Sequence, residues 1–424
     1  TLDDLLQKEI KKAKKSLDKQ TKIPENEFVE YQTLVNMSQK IWEDAKENND
    51  WDAFKGNLEK LVDFNRRFIK YFDTDMEPYD VLLDDFEEGM NMVKYDEFFD
   101  TLKRDLVPFV RKVLKEGKPL NKDFTLDSFD TEKQKVFCDY LIDVLDFDRE
   151  RGLMKESVHP FTWNTSPSDV RFTTRYLENF VFSSIFAAIH ELGHATYEQQ
   201  IDEKWSDTGL SGGTSMGIHE SQSRFYENIV GRSREFWEAH YPKFQELFPE
   251  ELKDVSLDEF HKATNKVEAS FIRVEADELT YPMHIMIRYE IERKLFSDEI
   301  EVDDLPRVWN EKMVEYLGIE PKDFEEGVLQ DVHWSAGLFG YFPTYALGSA
   351  YAAQFYYTMK KEINIDELIK TNNIKEINNW LKEKIHQFGS SKTPQELLLD
   401  VTGEDFNPKY YVQYLIEKYS PLYL

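Results

Sequence analysis

The feature that most constrains the fold of this chain is an apolar stretch that leads directly into a group of ionisable residues. Residues 180–189 read FVFSSIFAAI and residues 190–194 read HELGH. An apolar run of this length, continued by residues 195–199, predicts a buried helix with Asn179 as its N-cap. Two histidines and a glutamate are costly to bury alone. The stretch therefore predicts a core helix whose polar residues bind a metal or other partners.

The spacing of the two histidines favours a metal. His190 and His194 are four residues apart, so they lie one turn apart on one helical face. Both imidazoles can then coordinate a single Zn²⁺, with Glu191 as the general base that activates a water molecule. So short a pattern also recurs by chance, and the alternative is a pair of core histidines. On the metal interpretation, the protein hydrolyses an amide bond.

A catalytic zinc site needs a third protein ligand and an open position. Glu220 is the candidate, because it follows a loop with four glycines (206–217) and opens a helix that reaches residue 230. If that helix packs antiparallel to the first, Glu220 returns to the histidines. The alternative is an ordinary glutamate near a helix N-terminus. Glu227, seven residues later, is either a partner of a histidine ligand or a surface ion pair.

Composition restricts the class of protein. The 424 residues are 41% hydrophobic, which is typical of a globular chain with a large core. The formal net charge of −29 disfavours nucleic acid and anionic membranes as partners. The chain has no apolar run long enough to span a membrane. Residues 1–16 lack the apolar core of a signal peptide, and Cys138 is the only cysteine, so we expect a cytoplasmic protein.

The pattern of apolar residues predicts a mainly α fold. Three-to-four spacing marks helices at 28–48, 52–71, 79–92, 95–116 and 131–146. Pro108 predicts a kink or split in the fourth of these. The alternating residues 170–176 predict a strand, hence a small β-sheet beside the metal helix. We expect a single domain, 1–424, with a helical N-terminal lobe (1–155) and a catalytic lobe (156–424).

Several further motifs stand in the order found in a known family. They are HPF (159–161), DVRFT (169–173), HELGH (190–194), HESQ (219–222), IRVEAD (272–277), GVLQDVHW (327–334) and GYFPTY (340–345). With them the chain resembles the Taq-type zinc carboxypeptidases, a mostly helical metallopeptidase family, from about residue 25 onwards. Its N-terminal lobe is shorter than is usual there.

The resemblance implies an enzyme that removes residues one at a time from a free peptide C-terminus, with broad side-chain tolerance. It also implies a zincin-like helical fold with a long substrate groove, one zinc ion per chain and a homodimer. Cobalt suits the same ligands as zinc.

A carboxypeptidase must bind the terminal carboxylate of its substrate, and the planar donor fork of arginine suits that task. Arg273 in the IRVEAD motif is the first candidate, and Arg171 in the DVRFT motif is the second. The alternative for each is an internal ion pair, and Glu275 and Asp277 lie close to Arg273 in sequence.

The reaction also needs a hydrogen-bond donor for the developing oxyanion. Tyr345 and His333 are the candidates, with Tyr341 behind them. His159 is expected to shape the substrate groove near the metal. Gln330 and Asp331 belong either to the surroundings of the site or to a structural network; these two interpretations stand equal.

Two other functions compete with the carboxypeptidase. The first is a zinc oligopeptidase of similar helical fold that cuts inside short peptides. The second is an inactive peptide-binding scaffold with a vestigial motif. The intact Glu191 argues against the scaffold, since loss of the general base is the simplest route to a dead site.

Overall fold

The computed structural model describes residues 4–72, 74–120 and 124–424, and these residues are mainly helical, as predicted. Residues 1–3, the start of the N-terminal segment considered above, lie outside them. None of the described helices is long and apolar enough to cross a membrane. The described residues form eighteen α-helices: α1 Asp4–Lys22, α2 Glu25–Glu47, α3 Trp51–Tyr71, α4 Pro78–Phe86, α5 Met92–Thr101, α6 Val107–Glu116, α7 Thr131–Val144, α8 Val181–Gln199, α9 Met216–Arg224, α10 Arg234–Leu247, α11 Leu257–Thr264, α12 Tyr281–Phe296, α13 Leu305–Leu317, α14 Pro343–Glu362, α15 Ile365–Lys370, α16 Ile374–Lys384, α17 Pro394–Thr402 and α18 Lys409–Tyr423.

The chain forms two compact units, and each unit is made of two stretches of sequence. Unit 1 contains Thr1–Glu116 and Val267–Ala346, and unit 2 contains Gly117–Lys266 and Leu347–Leu424. Both units draw residues from either side of position 155, where the sequence analysis placed a lobe boundary.

Unit 1 shows why its sequence folds into helices. In α3, the Asp50 side chain accepts a hydrogen bond from the Ala53 amide and caps the N-terminus, while Leu58 and Leu61 are fully buried. Between α5 and α6 the chain forms a π-helical turn, Leu102–Leu106, just before Pro108. Proline has no N–H for the usual bond one turn back, and the π-turn is the local adjustment at this point.

Unit 2 contains a three-stranded sheet next to helix α8. Its strands are β1 Gly152–Glu156, β2 Thr162–Ser166 and β3 Asp169–Thr174, in the order β1-β3-β2. β1 runs parallel to β3, and β2 runs antiparallel to it. The strand predicted at 170–176 corresponds to β3. The strands β1 and β2 (GLMKE and TWNTS) were not predicted, because each is only five residues long.

Helix α8 is the buried helix predicted from the apolar stretch, with Ile185, Ile189 and Leu192 fully buried. The expected N-cap at Asn179 was wrong. The helix begins at Val181, and the N-cap residue Phe180 makes no side-chain capping bond. Helix α9 packs tightly on α8 at Gly193, where a Cβ atom would lie 2.7 Å from the carbonyl oxygen of Gln222. This close approach, which only glycine permits, brings α9 to the two histidines.

Candidate metal centre and active site

Three candidate ligands converge in unit 2. The ligand atoms of His190, His194 and Glu220 all lie within 4.8 Å of one another. Oε2 of Glu220 is 3.7 Å from Nε2 of His190 and 3.6 Å from Nε2 of His194. The histidines lie one turn apart on α8, and the glutamate comes from α9.

The Glu220 carboxylate is held on two sides. Arg224 donates through Nε to Oε1 at 2.7 Å, and the Ser223 hydroxyl donates to Oε2 at 3.0 Å. Gly348 of α14 packs against the same side chain, because a Cβ atom there would lie 2.6 Å from both Cβ and Cγ of Glu220. The position of the carboxylate is therefore fixed by the Arg224 guanidinium, the Ser223 hydroxyl and the close packing of Gly348.

The imidazole of His190 is oriented by a buried carboxylate. Its Nδ1 lies 2.9 Å from Oε2 of Glu227, which the π-helical turn Phe225–Val230 supplies. Arg224 and Arg232 also donate to this carboxylate, at 3.3 and 3.1 Å. Burial opposes its ionisation, but the two arginines and His190 hold the pKa of Glu227 well below its usual range. Glu227 is therefore a buried carboxylate at neutral pH that contacts His190, and not the surface ion pair that was the alternative interpretation.

The imidazole of His194 is oriented differently. Its Nδ1 lies 2.6 Å from Nδ1 of His219, and Nε2 of His219 lies 2.7 Å from Oε1 of Glu198. A second imidazole therefore stands between the candidate ligand and a buried carboxylate.

Glu191, the expected general base, contacts the sheet. The Thr162 hydroxyl of β2 donates to its Oε2 at 2.6 Å. Burial raises the pKa of Glu191, while His190 and the Thr162 hydrogen bond oppose that shift. A raised pKa brings a carboxylate closer to the range in which it both accepts and returns a proton near neutrality.

The three candidate ligands suit a zinc ion. Tetrahedral zinc with bonds of about 2.0–2.2 Å places its ligand atoms roughly 3.3–3.6 Å apart, close to the separations between Glu220 and the histidines. Both Nδ1 atoms are taken up by hydrogen bonds, so each ring presents Nε2 to the others. Two imidazoles and one carboxylate also leave a coordination position open, as catalytic zinc sites require.

A second set of candidate residues lies in unit 1, around Arg273. Nε and Nη2 of Arg273 donate to Oδ1 of Asp331 at 3.0 and 2.8 Å, and Nε of the fully buried Arg288 donates to Oδ2 at 2.7 Å. The Gln330 side chain accepts from the Arg273 amide and from Nη2 of Arg288. Burial opposes ionisation of Asp331, but Arg288 and Arg273 hold its pKa well below the usual range. Two guanidinium groups share one carboxylate, so this buried network has one net positive charge.

Two candidate oxyanion donors adjoin this network. Nε2 of His333 lies 3.2 Å from the Tyr345 hydroxyl, and the Tyr345 ring lies 5.1 Å from the Arg273 guanidinium carbon. The ring of Tyr341 packs 5.4 Å from that of His333. Burial lowers the pKa of His333 to about 4, so its imidazole is neutral at neutral pH.

The remaining candidates, Arg171 and His159, lie in or next to the sheet of unit 2 and are not among the three converging ligands. Arg171 on β3 is exposed, and its Nε and Nη2 donate to the two carboxylate oxygens of Asp169 at 2.8 Å each. Its guanidinium also lies 5.8 Å from the ring of Trp163. His159 is exposed in the turn between β1 and β2.

Several residues at the site were not identified from the sequence. Thr162 has a weak sequence signal, because it is a small polar residue between two aromatic residues, Phe161 and Trp163. Gly193 stands inside the HELGH motif, where a glycine signals a close helix contact. The role of Glu198 as partner of His219 had no sequence signal, since tertiary packing alone brings the two together.

The chain is similar to several known proteins. The model of the family described as Carboxypeptidase Taq (M32) metallopeptidase matches residues 1–419. "Carboxypeptidase 1" of Bacillus subtilis is 48% identical over 426 residues, which cover 100% of this chain and 85% of that protein. "Thermostable carboxypeptidase 1" of Pyrococcus furiosus is 40% identical over 398 residues, which cover 93% of this chain and 79% of that protein. The solved structure "Crystal structure of M32 carboxypeptidase from Deinococcus radiodurans R1" is 34% identical, covers 99% of this chain and 85% of that one, and has a TM-score of 0.96. The chain therefore belongs to the Taq carboxypeptidase (M32) family of metallopeptidases, enzymes that need a divalent metal and act on peptides.

Proposed function

We propose that this chain removes single residues from the free C-terminus of peptides, with broad side-chain tolerance, and that His190, His194 and Glu220 hold its metal. The observation that carries the proposal is the convergence of two Nε2 atoms and one buried carboxylate oxygen. We further propose zinc as the ion, because two imidazoles and a carboxylate are a common catalytic zinc set, although the same donors suit cobalt.

The general base in this proposal is Glu191. A bound zinc ion would lower the pKa of a water molecule and polarise the scissile carbonyl. The Glu191 carboxylate accepts the proton from the attacking water and later delivers it to the nitrogen of the leaving amino acid. The Thr162 hydroxyl holds Oε2 of Glu191, which leaves Oε1 to carry the proton. Because the carboxyl group is buried, bulk water does not compete strongly for that proton.

We assign recognition of the substrate carboxylate to Arg273. Its guanidinium is fixed by Asp331, and the network around it keeps one net positive charge in a buried setting. A carboxylate that binds there gains charge-assisted hydrogen bonds of low reorganisation cost. Arg171 is the second candidate for this role. Its guanidinium must first break its two hydrogen bonds to Asp169. His159, exposed next to β2, is proposed to line the path of the peptide.

Tyr345 and His333 are proposed to stabilise the negative charge that develops on the carbonyl oxygen. With its hydrogen on Nε2, the neutral His333 donates to the Tyr345 oxygen, and the phenol directs its own hydrogen to the substrate. A neutral imidazole suits this task, because it supports the phenol without removing its proton.

Two properties of the whole protein belong to the same proposal. A homodimer is proposed from the family resemblance. A cytoplasmic location is proposed because the single cysteine, Cys138, is buried and has no partner cysteine with which to form an internal disulfide.

The experiment that shows which end of a peptide is attacked compares one peptide with its C-terminal amide and with its N-acetylated form. Products are followed over time by mass spectrometry. We expect stepwise loss of single residues from the free acid and from the acetylated peptide. The amide should be cleaved about 100-fold more slowly or worse, since lost charge-assisted hydrogen bonds cost about 3 kcal/mol. Internal cleavage of acid and amide at equal rates would contradict the proposal and favour an oligopeptidase.

A further inference from the structure

The two candidate histidine ligands differ in the hydrogen-bond partners that orient their imidazoles. His190 bonds through Nδ1 directly to the Glu227 carboxylate. His194 reaches a carboxylate only through a second imidazole, that of His219, which in turn meets Glu198. The function of this second arrangement is not explained by the ligand set alone.

The hydrogen bonds allow one consistent placement of protons. Nε2 of His194 lies 3.6 Å from Oε2 of Glu220, so as a ligand His194 presents its lone pair there and carries its hydrogen on Nδ1. That hydrogen is donated to Nδ1 of His219, which must then carry its own hydrogen on Nε2. His219 Nε2–H donates to Oε1 of Glu198, a carboxylate oxygen that can only accept.

Glu198 is fixed in its role as the final acceptor. Its side chain is only 7% exposed. Asn164 of β2 donates through its side-chain amide to Oε2 at 2.8 Å, and the backbone N–H of Gly213 donates to Oε1 at 3.1 Å. The carboxylate therefore has a defined orientation before any metal binds.

The imidazole of His219 is confined by its neighbours. A Cβ atom at Gly213 would lie 2.5 Å from Cδ2 of His219 and 2.9 Å from the Tyr197 ring. The rings of Tyr197 and His219 pack with centroids 5.0 Å apart. The glycine loop thus lets the backbone close onto both rings, and rotation of the His219 ring is blocked.

We propose that His219 and Glu198 are positioning residues for the metal. They hold His194 in the tautomer and ring orientation that presents Nε2, and their hydrogen bonds make that nitrogen a better donor. This inference rests on the proposed ligand set and adds to it two residues that touch neither metal nor substrate.

Three substitutions separate the links of this arrangement. His219→Phe keeps a ring but removes both hydrogen bonds. His219→Asn places an amide oxygen near the position of Nδ1, so it keeps an acceptor for His194 and loses the link to Glu198. Glu198→Gln keeps an acceptor for His219 but removes the charge. His240→Asn is the matched control, because His240 is a buried histidine of unit 2 that hydrogen-bonds to Tyr140 instead.

The measurement is the Zn²⁺ dissociation constant at neutral pH, from competition with a chromophoric chelator, with circular dichroism to verify folding. The visible absorption of the Co²⁺-substituted protein is the second readout. We expect His219→Phe to weaken metal binding by about 10-fold to 100-fold and Glu198→Gln by a smaller factor. His219→Asn should recover part of the affinity, and the cobalt spectrum should change in the weakened variants. His240→Asn should bind metal as the unaltered protein does.

The outcomes distinguish this inference from the proposed function. If His194→Ala abolishes binding while His219→Phe and Glu198→Gln bind metal with unchanged affinity and spectrum, the inference is overturned and the ligand set stands. If His194→Ala and Glu220→Ala bind normally, the ligand set fails and the inference fails with it. Should His219→Phe not fold, His219→Asn and Glu198→Gln decide the matter, and unchanged affinity in both overturns the inference.

Discussion

Replacement of Asp331 by asparagine should strongly destabilise unit 1. The Asp331 carboxylate accepts hydrogen bonds from Nε and Nη2 of Arg273 and from Nε of Arg288, and the Arg288 side chain has no exposed surface. Asparagine offers one oxygen instead of two, and its amide hydrogens face the guanidinium groups. The substitution leaves two buried positive charges without a counter-charge.

The expected loss is large compared with that of a surface ion pair. Removal of one partner of a buried pair costs about 3–5 kcal/mol. Asp63→Asn is the matched control, since Asp63 pairs with Arg67 at 3.2 Å but its side chain is 67% exposed. That substitution should change the free energy of unfolding by about 1 kcal/mol or less.

The assay is urea denaturation of the unaltered protein, Asp331→Asn and Asp63→Asn at a series of pH values. Burial opposes ionisation of Asp331, but Arg288 and Arg273 hold the pKa of the folded state below the unfolded value of about 3.9. The stabilisation is therefore fully present above the unfolded pKa and is lost as pH falls through the folded one. The difference between the unaltered protein and Asp331→Asn should be constant from about pH 8 to 5 and should shrink only below about pH 4. A difference under about 1 kcal/mol at neutral pH, as expected of an exposed pair, would refute the reasoning.

Two further substitutions test the surroundings of the metal site. Gly348→Ala must displace Glu220, because its Cβ atom would lie 2.6 Å from that side chain, and chelator competition should show metal affinity about 10-fold weaker or worse. Gly56→Ala, at a position with open space around it, should leave the affinity unchanged, and equal affinities in both variants would contradict this. Thr162→Val removes the hydroxyl that donates to Glu191, so kcat should fall about 10-fold, equivalent to about 1.4 kcal/mol, with metal content unchanged. Thr162→Ser should keep most of the rate, and a Thr162→Val enzyme as fast as the unaltered one would exclude this role of the hydroxyl.

The helical character of the fold was predictable because its signals are local. Apolar residues at helical spacing mark α3, a nearly continuous apolar run marks α8, and the buried residues of both helices agree with these patterns. The strands β1 and β2 lack such a signal, since they form through pairing with β3 and not through their own composition. A strand of five residues is too short for its alternation of side chains to be recognised in the sequence.

The ion-pair partner of Arg273 could not be predicted from the sequence either. The partner of Arg273 was sought nearby in sequence, at Glu275 and Asp277, whereas the structure pairs it with Asp331, 58 residues away. Asp277 instead accepts from the amides of Leu279 and Thr280. Sequence proximity suggested ion pairs, but burial and tertiary packing selected the actual partner.

The metal motif was the most predictable part of the site, because an i, i+4 pair of histidines depends only on helix geometry. The close approach that places Glu220 beside them depends on Gly193 and Gly348. Gly193 lies within the recognised motif, but Gly348 lies more than a hundred residues away from Glu220, so only the folded chain reveals its contact.

The most direct test of the central claim measures metal content and peptide cleavage together in the unaltered enzyme and in Glu191→Gln. Both proteins should bind one zinc ion per chain, because Glu191 is not among the proposed ligands. The unaltered enzyme should release C-terminal residues one at a time, and Glu191→Gln should do so about 100-fold to 10,000-fold more slowly. Cleavage by Glu191→Gln at the unaltered rate, with the zinc in place, would contradict the account.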